Sequence, residues 1–442
     1  MKKNKVIYKD IFVLVMTSLF FIFLCVVCGA NNMDQIWEYG FAHNVLQGML
    51  PYKDFNMVVL PFHTYICAFV LKIFFDKYIL YLLFHAVMLT VLSFFLYKKT
   101  DKSYQYFLCL FFLALVYAAT YNILLLCLFF ALLFCEEEKK NDYVVGVILA
   151  LTILTKQSVG ICLLLPTFLL KDKKRIVKRF SPILGIGLLY TLYLIFTGSF
   201  YDCINYTFLG LLDFSNKNKA INLFFLFYLV YVVFLIIRYI RTKEKRNIYY
   251  ICFSTVCIPL LDFHHFFLGI LPFVIECILN LKMKNKLLLR ILSIYSLIIL
   301  FYTLSLDLYN AREYIVEKDK TNLFYLTSEK YKSTYSKSSY ILKLYKKYRS
   351  KQVYVMGDNS YFYSLDNNIP ITRFSHILYG NNGYNGNGNL RKKIDVLPKN
   401  TIFIYDVSPT SKQHNKEIYD YIVKKSRKID GGKYGVVVYQ KK

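Results

Sequence analysis

Three short polar groups interrupt an otherwise apolar chain, and their residue types are those that proton transfer and anion binding use. The first is Asp34-x-x-Trp37-Glu38, just beyond an apolar run, followed by Gly48-x-x-Pro51-Tyr52-x-Asp54-Phe55. The second is Lys156-Gln157, an isolated cation and its amide neighbour between two apolar segments. The third is Asp262-x-His264-His265, which opens another apolar segment. Lys72 and Lys77, at the end of a further apolar stretch, complete the set. A carboxylate in such a setting can take a proton from a hydroxyl, help that is worth about 10² to 10⁴ in rate. Lysine, histidine and glutamine can hold a leaving anion where water is scarce and charge develops.

Simpler explanations stand beside each of these. An ionisable group at a membrane boundary, such as Asp34, costs little there. Lys156 can snorkel to an interface, and His264 and His265 suit an interface equally well. Glu38 and Asp54 read as structural or solvated residues. The tyrosines at 117, 121, 201 and 206 read as an aromatic belt. Asp262-x-His-His is a weak metal-ligand pattern without a partner pair elsewhere.

The elements that must position these groups are membrane helices. The chain has 442 residues, 56% hydrophobic and 19% charged, against about 45–50% apolar and about 25% charged for a soluble globular protein. Apolar runs long enough to span a bilayer recur along it, so the sequence reads as a multi-pass membrane protein. Its 55 Lys and Arg against 28 Asp and Glu give a formal charge of +27. Cytoplasmic loops of membrane proteins collect such residues, and no nucleic-acid partner is expected. Most of the eleven cysteines fall in apolar segments, without disulfide or zinc spacing.

Apolar segments lie at roughly 10–30, 57–75, 78–97, 104–119, 122–135, 143–155, 158–170, 180–198, 220–238, 248–261, 265–281 and 287–306. The first is expected to be retained, because it exceeds a signal h-region and no small-x-small site precedes Asn31. If every segment crossed, one of the basic clusters at the N-terminus or at 98–102 would have to lie outside, against the positive-inside tendency. Segment 57–75 follows Pro51 and Pro61, carries His63 and Lys72, and ends at Asp76-Lys77. It is expected to lie along the outer face as a juxtamembrane helix. About eleven crossings then put the N-terminus in the cytoplasm. Loops 31–57, 119–122, 155–158, 199–219 and 262–265, and everything from 307, lie outside.

The expected organisation is therefore an all-α polytopic domain over 1–306, with a first external loop spanning 31–77, and a small extracytoplasmic α/β domain over 307–442. In the tail, a charged helical stretch near 311–350 leads to expected strands at 353–357, 401–405 and 434–440. The Gly/Asn-rich stretch 380–389 reads as a surface turn rather than a phosphate cradle, since no evident strand and helix flank it.

The first-loop pattern Asp34-x-x-Trp, then Gly48-x-x-Pro-Tyr-x-Asp-Phe55 and Pro61 opening an apolar helix, resembles that of membrane glycosyltransferases of the GT-C fold that use lipid-linked sugars. Within that class it is most similar to bacterial relatives of protein O-mannosyltransferases and aminoarabinose transferases. Gly146-x-x-x-Ala-Leu-Thr-Ile-Leu-Thr-Lys-Gln157 resembles the family's segment ending in Leu-Thr-Lys. Asp262-Phe-His-His-Phe-Phe-Leu-Gly-Ile-Leu-Pro272 resembles its late outer-face segment. The resemblance implies transfer of a sugar, with inversion, from a polyprenyl phosphate or diphosphate to a cell-envelope glycan, lipid or protein acceptor. It implies that Asp34 is the catalytic base. Lys156, with Gln157, Lys72, Lys77, His264 and His265, would hold the donor phosphate. Trp37, Glu38, Asp54 and Tyr52 would contact acceptor or shape the loop, and membrane lipid is a partner.

This chain departs from the family pattern at Ala118-Ala-Thr-Tyr-Asn122, which offers no second-loop acid, and at Gln35, where some members have a second adjacent acid. Hard cations want several carboxylate oxygens, so neither a metal nor another cofactor is expected. A transporter or flippase of lipid-linked saccharide would show midplane charges and an internal repeat. A polysaccharide polymerase or ligase would carry a long late external loop, where 262–265 is short.

Overall fold

A computed structural model describes residues 2–28, 33–211, 223–258, 262–281, 294–299, 301–302, 305, 340–341, 343–356, 371–374, 377, 382–407 and 415–442. The chain forms two compact units, one of residues 1–35, 73–187 and 221–328, the other of residues 36–72, 188–220 and 329–442. The fold is mostly helical, with a small C-terminal sheet.

In chain order the helices are α1 (Lys2–Phe23), α2 (Met33–Leu46), α3 (Phe62–Phe74), α4 (Tyr78–Lys99), α5 (Ser103–Ala114), α6 (Tyr121–Glu137) and α7 (Asp142–Thr155). They continue as α8 (Gln157–Cys162), α9 (Leu165–Phe168), α10 (Lys173–Thr197), α11 (Phe200–Ile204), α12 (Leu223–Thr242), α13 (Arg246–Ser254) and α14 (Phe263–Leu279). By length and composition, four stretches among the described residues can cross a membrane: Ile7–Val26, Tyr78–Lys99, Lys173–Thr197 and Leu223–Thr242. At 1.5 Å per residue a span needs about 20 residues, and the other apolar segments fold as shorter helices. Segment 57–75 yields the 13 residues of α3. Segments 143–155 and 158–170 become α7, α8 and the single turn α9. Of segment 287–306 only 294–299, 301–302 and 305 are described, and all of these are helical.

Two expected loops are partly helical: 31–57 contains α2, and 199–219 opens with α11 and a π-turn at Asn205–Leu209. Polar residues interrupt both, Asp34, Gln35 and Glu38 in the first and Asp202 and Asn205 in the second, so neither forms a long apolar run and the sequence reads as loop there.

The first unit is tied by an ionic network of α6, α7, α10 and α13. Arg179 is 1% exposed. It pairs with Glu136, and its Nε donates to Asp142 at 2.7 Å. Arg175 forks onto the same carboxylate at 2.9 and 3.0 Å, and Tyr249 Oη donates to Glu136 at 2.9 Å. The backbones come close enough that a Cβ on Gly146 would lie 2.2 Å from the Arg179 carbonyl oxygen. Glycine is the residue that permits this crossing.

In the second unit, strands β1 (Val353–Met356), β2 (Ile402–Asp406), β3 (Ser426–Gly431) and β4 (Val436–Lys441) form one sheet in the order β1-β2-β4-β3. β1 and β2 are parallel, and β4 runs antiparallel to both β2 and β3. One face carries Val353, Val355, Ile402, Ile404, Val436 and Val438, covered by Ile341 and Leu344 of a helical stretch. On the other face α16 (Lys416–Lys425) lays Tyr419 against Tyr405 and Tyr439. Burial on both faces accounts for the near-continuous apolar runs of β1, β2 and β4.

The expected strands are present within two residues, while β3, which is largely polar, was not expected. The Gly/Asn-rich stretch is not a turn throughout. α15 (Gly386–Val396) starts inside it, after Asn385 in a left-handed conformation at φ 53°. Most of the helical stretch expected at 311–350 lies outside the described residues.

Arg179→Ala leaves Glu136 without its arginine partner and Asp142 held by Arg175 alone. For a buried pair this costs about 3–5 kcal/mol; Glu136 retains 22% exposure, so the lower end, roughly 3 kcal/mol, is expected. Breaking the exposed Lys98–Asp10 pair is expected to cost about 1 kcal/mol or less. Thermal unfolding of the two variants in one detergent compares them.

Candidate functional site

Lys156 is the single extended residue (φ −147°, ψ 102°) between α7 and α8, closing one helix and opening the next. The hairpin is tight because a Cβ on Gly160 would sit 2.4 Å from the backbone of Ile153. That close return turns the lysine inward. Lys156 is 7% exposed, its Nζ donates to the Val256 carbonyl at 3.1 Å, and it stands 5.3 Å from the centroid of the Tyr121 ring. Burial pulls the ammonium down to about 8, while Cys257, Asp34 and Asp262 act to keep it charged.

The turn that supplies the Val256 carbonyl also receives α14. A Cβ on Gly269 would lie 2.5 Å from Cys257 Sγ, and that thiol donates to the His265 carbonyl at 3.2 Å. Asp262 caps α14 and accepts from the His265 backbone N–H at 2.8 Å, as acidic N-caps do. The same oxygen, Oδ1, meets His265 Nδ1 at 2.8 Å. Burial works to raise the Asp262 carboxyl, but these hydrogen bonds prevail and hold it at about 2.

Asp34, in the first turn of α2 and exposed to solvent, completes the group through its field on Lys156. A helix N-terminus favours an anion there. The first unit thus gathers Asp34, Lys156, Gln157, His264 and His265, with Gln157 buried beside the lysine. It adds Asp262, which the sequence reading placed beside the two histidines, weighed as a weak metal ligand, and gave no role in proton transfer or phosphate binding. The overlooked signal was its cap position, an acid immediately before an apolar helix and three residues ahead of a histidine. Lys77, in the same unit at the start of α4, is exposed.

The remaining candidates belong to the second unit. Lys72 is exposed on α3 and Trp37 is half-buried on α2. Asp54 shapes the loop by accepting from the Leu50 N–H at 2.8 Å. Tyr52, fully buried at φ 69°, donates to the Val59 carbonyl at 2.8 Å. Glu38 is buried and lies 2.9 Å from His63 Nδ1, whose Nε2 is 3.4 Å from Cys67 Sγ. Burial pushes the Glu38 carboxyl up to about 8, so at neutral pH it is the donor to a neutral imidazole.

Sequence reasoning also missed Arg373. Its Nη1 is 2.5 Å from Asp202 and donates to the Tyr52 carbonyl at 3.3 Å, while its own carbonyl accepts from the Asn56 N–H at 2.9 Å. A lone arginine far along the chain gives no local sign of such a role.

No protein-family model matches the chain, and no curated protein does. Among solved structures, the chain is similar to the archaeal oligosaccharyltransferase AglB from Archaeoglobus fulgidus in complex with an inhibitory peptide and a dolichol-phosphate. That match has 10% identity and a TM-score of 0.46, and covers 98% of this chain and 74% of the other. The Archaeoglobus fulgidus oligosaccharyltransferase tethered to an acceptor peptide gives 11% identity and a TM-score of 0.45 over the same shares.

The Glu38 shift has a consequence for stability. Between the ordinary carboxyl range and about pH 8 the folded state holds a proton that the unfolded chain releases, so stability falls as pH rises through that window. Glu38→Gln is expected to flatten the dependence. Unfolding temperatures at pH 5.5 and 8.5 test it, and equal slopes in both proteins would remove Glu38 as the cause.

Proposed function

We propose that this protein is a membrane glycosyltransferase that moves a sugar, with inversion, from a polyprenyl phosphate or diphosphate to a cell-envelope acceptor at the outer face of the cytoplasmic membrane. The observation that carries this reading is the buried Lys156 ammonium at a helix joint, with Asp34 and Asp262 in its field. A desolvated cation beside carboxylates suits a site where an anion must be held while a hydroxyl loses its proton.

In this reading Asp34 accepts the acceptor proton, and Lys156, with Gln157, His264 and His265, holds the departing lipid phosphate. Lys72 and Lys77 draw the anionic headgroup from the surface. About eleven crossings, a cytoplasmic N-terminus and an extracytoplasmic domain over 307–442 belong to the same proposal, with loop residues Trp37, Glu38, Tyr52 and Asp54 shaping the acceptor side. No cofactor is required by this assignment. A flippase reading has less support, because the gathered charges lie at helix ends and joints.

Transfer of radiolabelled sugar from a polyprenyl-phosphate pool in membranes tests the assignment. Asp34→Asn is expected to lower transfer by about 10² to 10⁴, and Lys156→Ala to weaken donor use. A chelator is expected to change little. Full activity in Asp34→Asn, or no transfer by the wild type, sinks the site and moves transport ahead. Transfer should also decline above pH 8, where Lys156 loses its charge.

A further inference from the structure

In the proposed site Asp34 takes up a proton and Lys156 holds the departing phosphate, but no group yet gives that phosphate a proton. When a sugar leaves a phosphodiester, the phosphate passes from one negative charge to nearly two. The second ionisation of a phosphate monoester lies near pH 6, and an imidazole titrates near 6.5. A proton can therefore pass between them almost without a thermodynamic barrier.

The geometry supplies an imidazole held for that purpose. A carboxylate only accepts hydrogen bonds, so the 2.8 Å contact of Asp262 Oδ1 with His265 Nδ1 requires the proton on Nδ1. With Nδ1 committed, Nε2 is the nitrogen left for a substrate. Asp262 also fixes the ring's place by capping the same residue's backbone N–H. The His265 carbonyl is tied in turn to Cys257. Carboxylate–imidazole pairs of this kind orient the ring and stabilise its protonated form.

We propose that Asp262 and His265 form a proton-donating dyad for the departing lipid phosphate, with His265 as the donor and Asp262 as its positioning residue. This rests on the glycosyltransferase reading. In the transfer step the acceptor oxygen bonds to the anomeric carbon and its proton passes to Asp34. The bond from that carbon to the phosphate oxygen breaks, and its electron pair stays on the oxygen. That oxygen takes the Nε2 proton of His265, leaving a neutral imidazole and a phosphate monoanion. Water then returns the proton balance, removing one from Asp34 and restoring one to His265. The other groups around the pair are Lys156 at the α7–α8 joint, His264 on α14 and Cys257 in the turn before it, with Asp34 on α2 acting on both Lys156 and His264.

The test is proton uptake when the detergent-solubilised full chain binds farnesyl phosphate, a short product analogue. Isothermal titration at about pH 7 in two buffers of different ionisation enthalpy reads it directly. In water at that pH a phosphate monoester is mostly a dianion and an imidazole mostly neutral. Forming the one-proton complex should therefore take up about half a proton or more per phosphate. His265→Gln, which keeps a hydrogen-bond donor, is expected to bind with little uptake. Asp262→Asn preserves the helix cap and removes only the charge, so it should bind with reduced uptake. A merely structural role for the pair would leave uptake unchanged in Asp262→Asn and His265→Gln. Binding with wild-type uptake in His265→Gln overturns the dyad alone, as does binding by the wild type with no uptake. No binding of farnesyl phosphate by the wild type overturns the lipid-phosphate site, and the dyad with it.

Discussion

An ammonium taken out of water is the constraint around which the first unit's polar residues are arranged. Ion burial costs several kcal/mol even after the surroundings relax. Lys156 recovers part of this from one carbonyl, one aromatic face and the field of two carboxylates. Each partner must be brought within range by backbone that packs unusually close. Gly160 lets α8 return against α7, and Gly269 lets α14 settle on the turn that presents the Val256 carbonyl. Without those two glycines the lysine would lack the wall that holds it, so the close-packed apolar framework and the charged site are one structural problem.

The chain solves charge burial in three different ways. Around Arg179 it pairs opposite charges, with two carboxylates around a guanidinium that carries several donors in a fixed fork. At Glu38 it neutralises the acid instead, giving a chain of neutral hydrogen bonds through His63 to Cys67. At Lys156 it does neither completely, and the cation stays charged near neutrality without a direct carboxylate contact among the described hydrogen bonds and ion pairs. The first two arrangements are closed and suit structural work. The third is the arrangement to which the proposed function assigns an anion from outside.

What the sequence disclosed follows from which signals are local. Apolar runs marked nearly every helix, since burial and bilayer length leave a one-dimensional trace. Asp34, Lys156, His264 and His265 stood out because a charged or titratable residue at the end of such a run is conspicuous. Three things left no such trace. α2 and β3 are too polar for hydropathy to mark. Asp262 acts through a cap and a ring three residues away, and cap chemistry resembles ordinary helix punctuation. Arg373 works through Tyr52, Asn56 and Asp202, contacts separated by more than a hundred residues. A one-residue joint such as Lys156 is also invisible as geometry, because the sequence reads only as a cation between two apolar stretches.

The division of labour proposed for the two carboxylates rests on their surroundings. Asp34 is exposed at a helix start, where its charge is cheap and its oxygens are accessible to a hydroxyl. Asp262 already accepts two hydrogen bonds from one histidine, which hold it ionised and make it a poor base. With Lys156 charged, the two acids outweigh the single cation. Arrival of an anionic phosphate adds to that excess of negative charge and, in the proposed dyad, favours an imidazolium. In the proposed cycle, donor binding itself thus loads the proton that the leaving phosphate later takes, and departure of the product resets the ring.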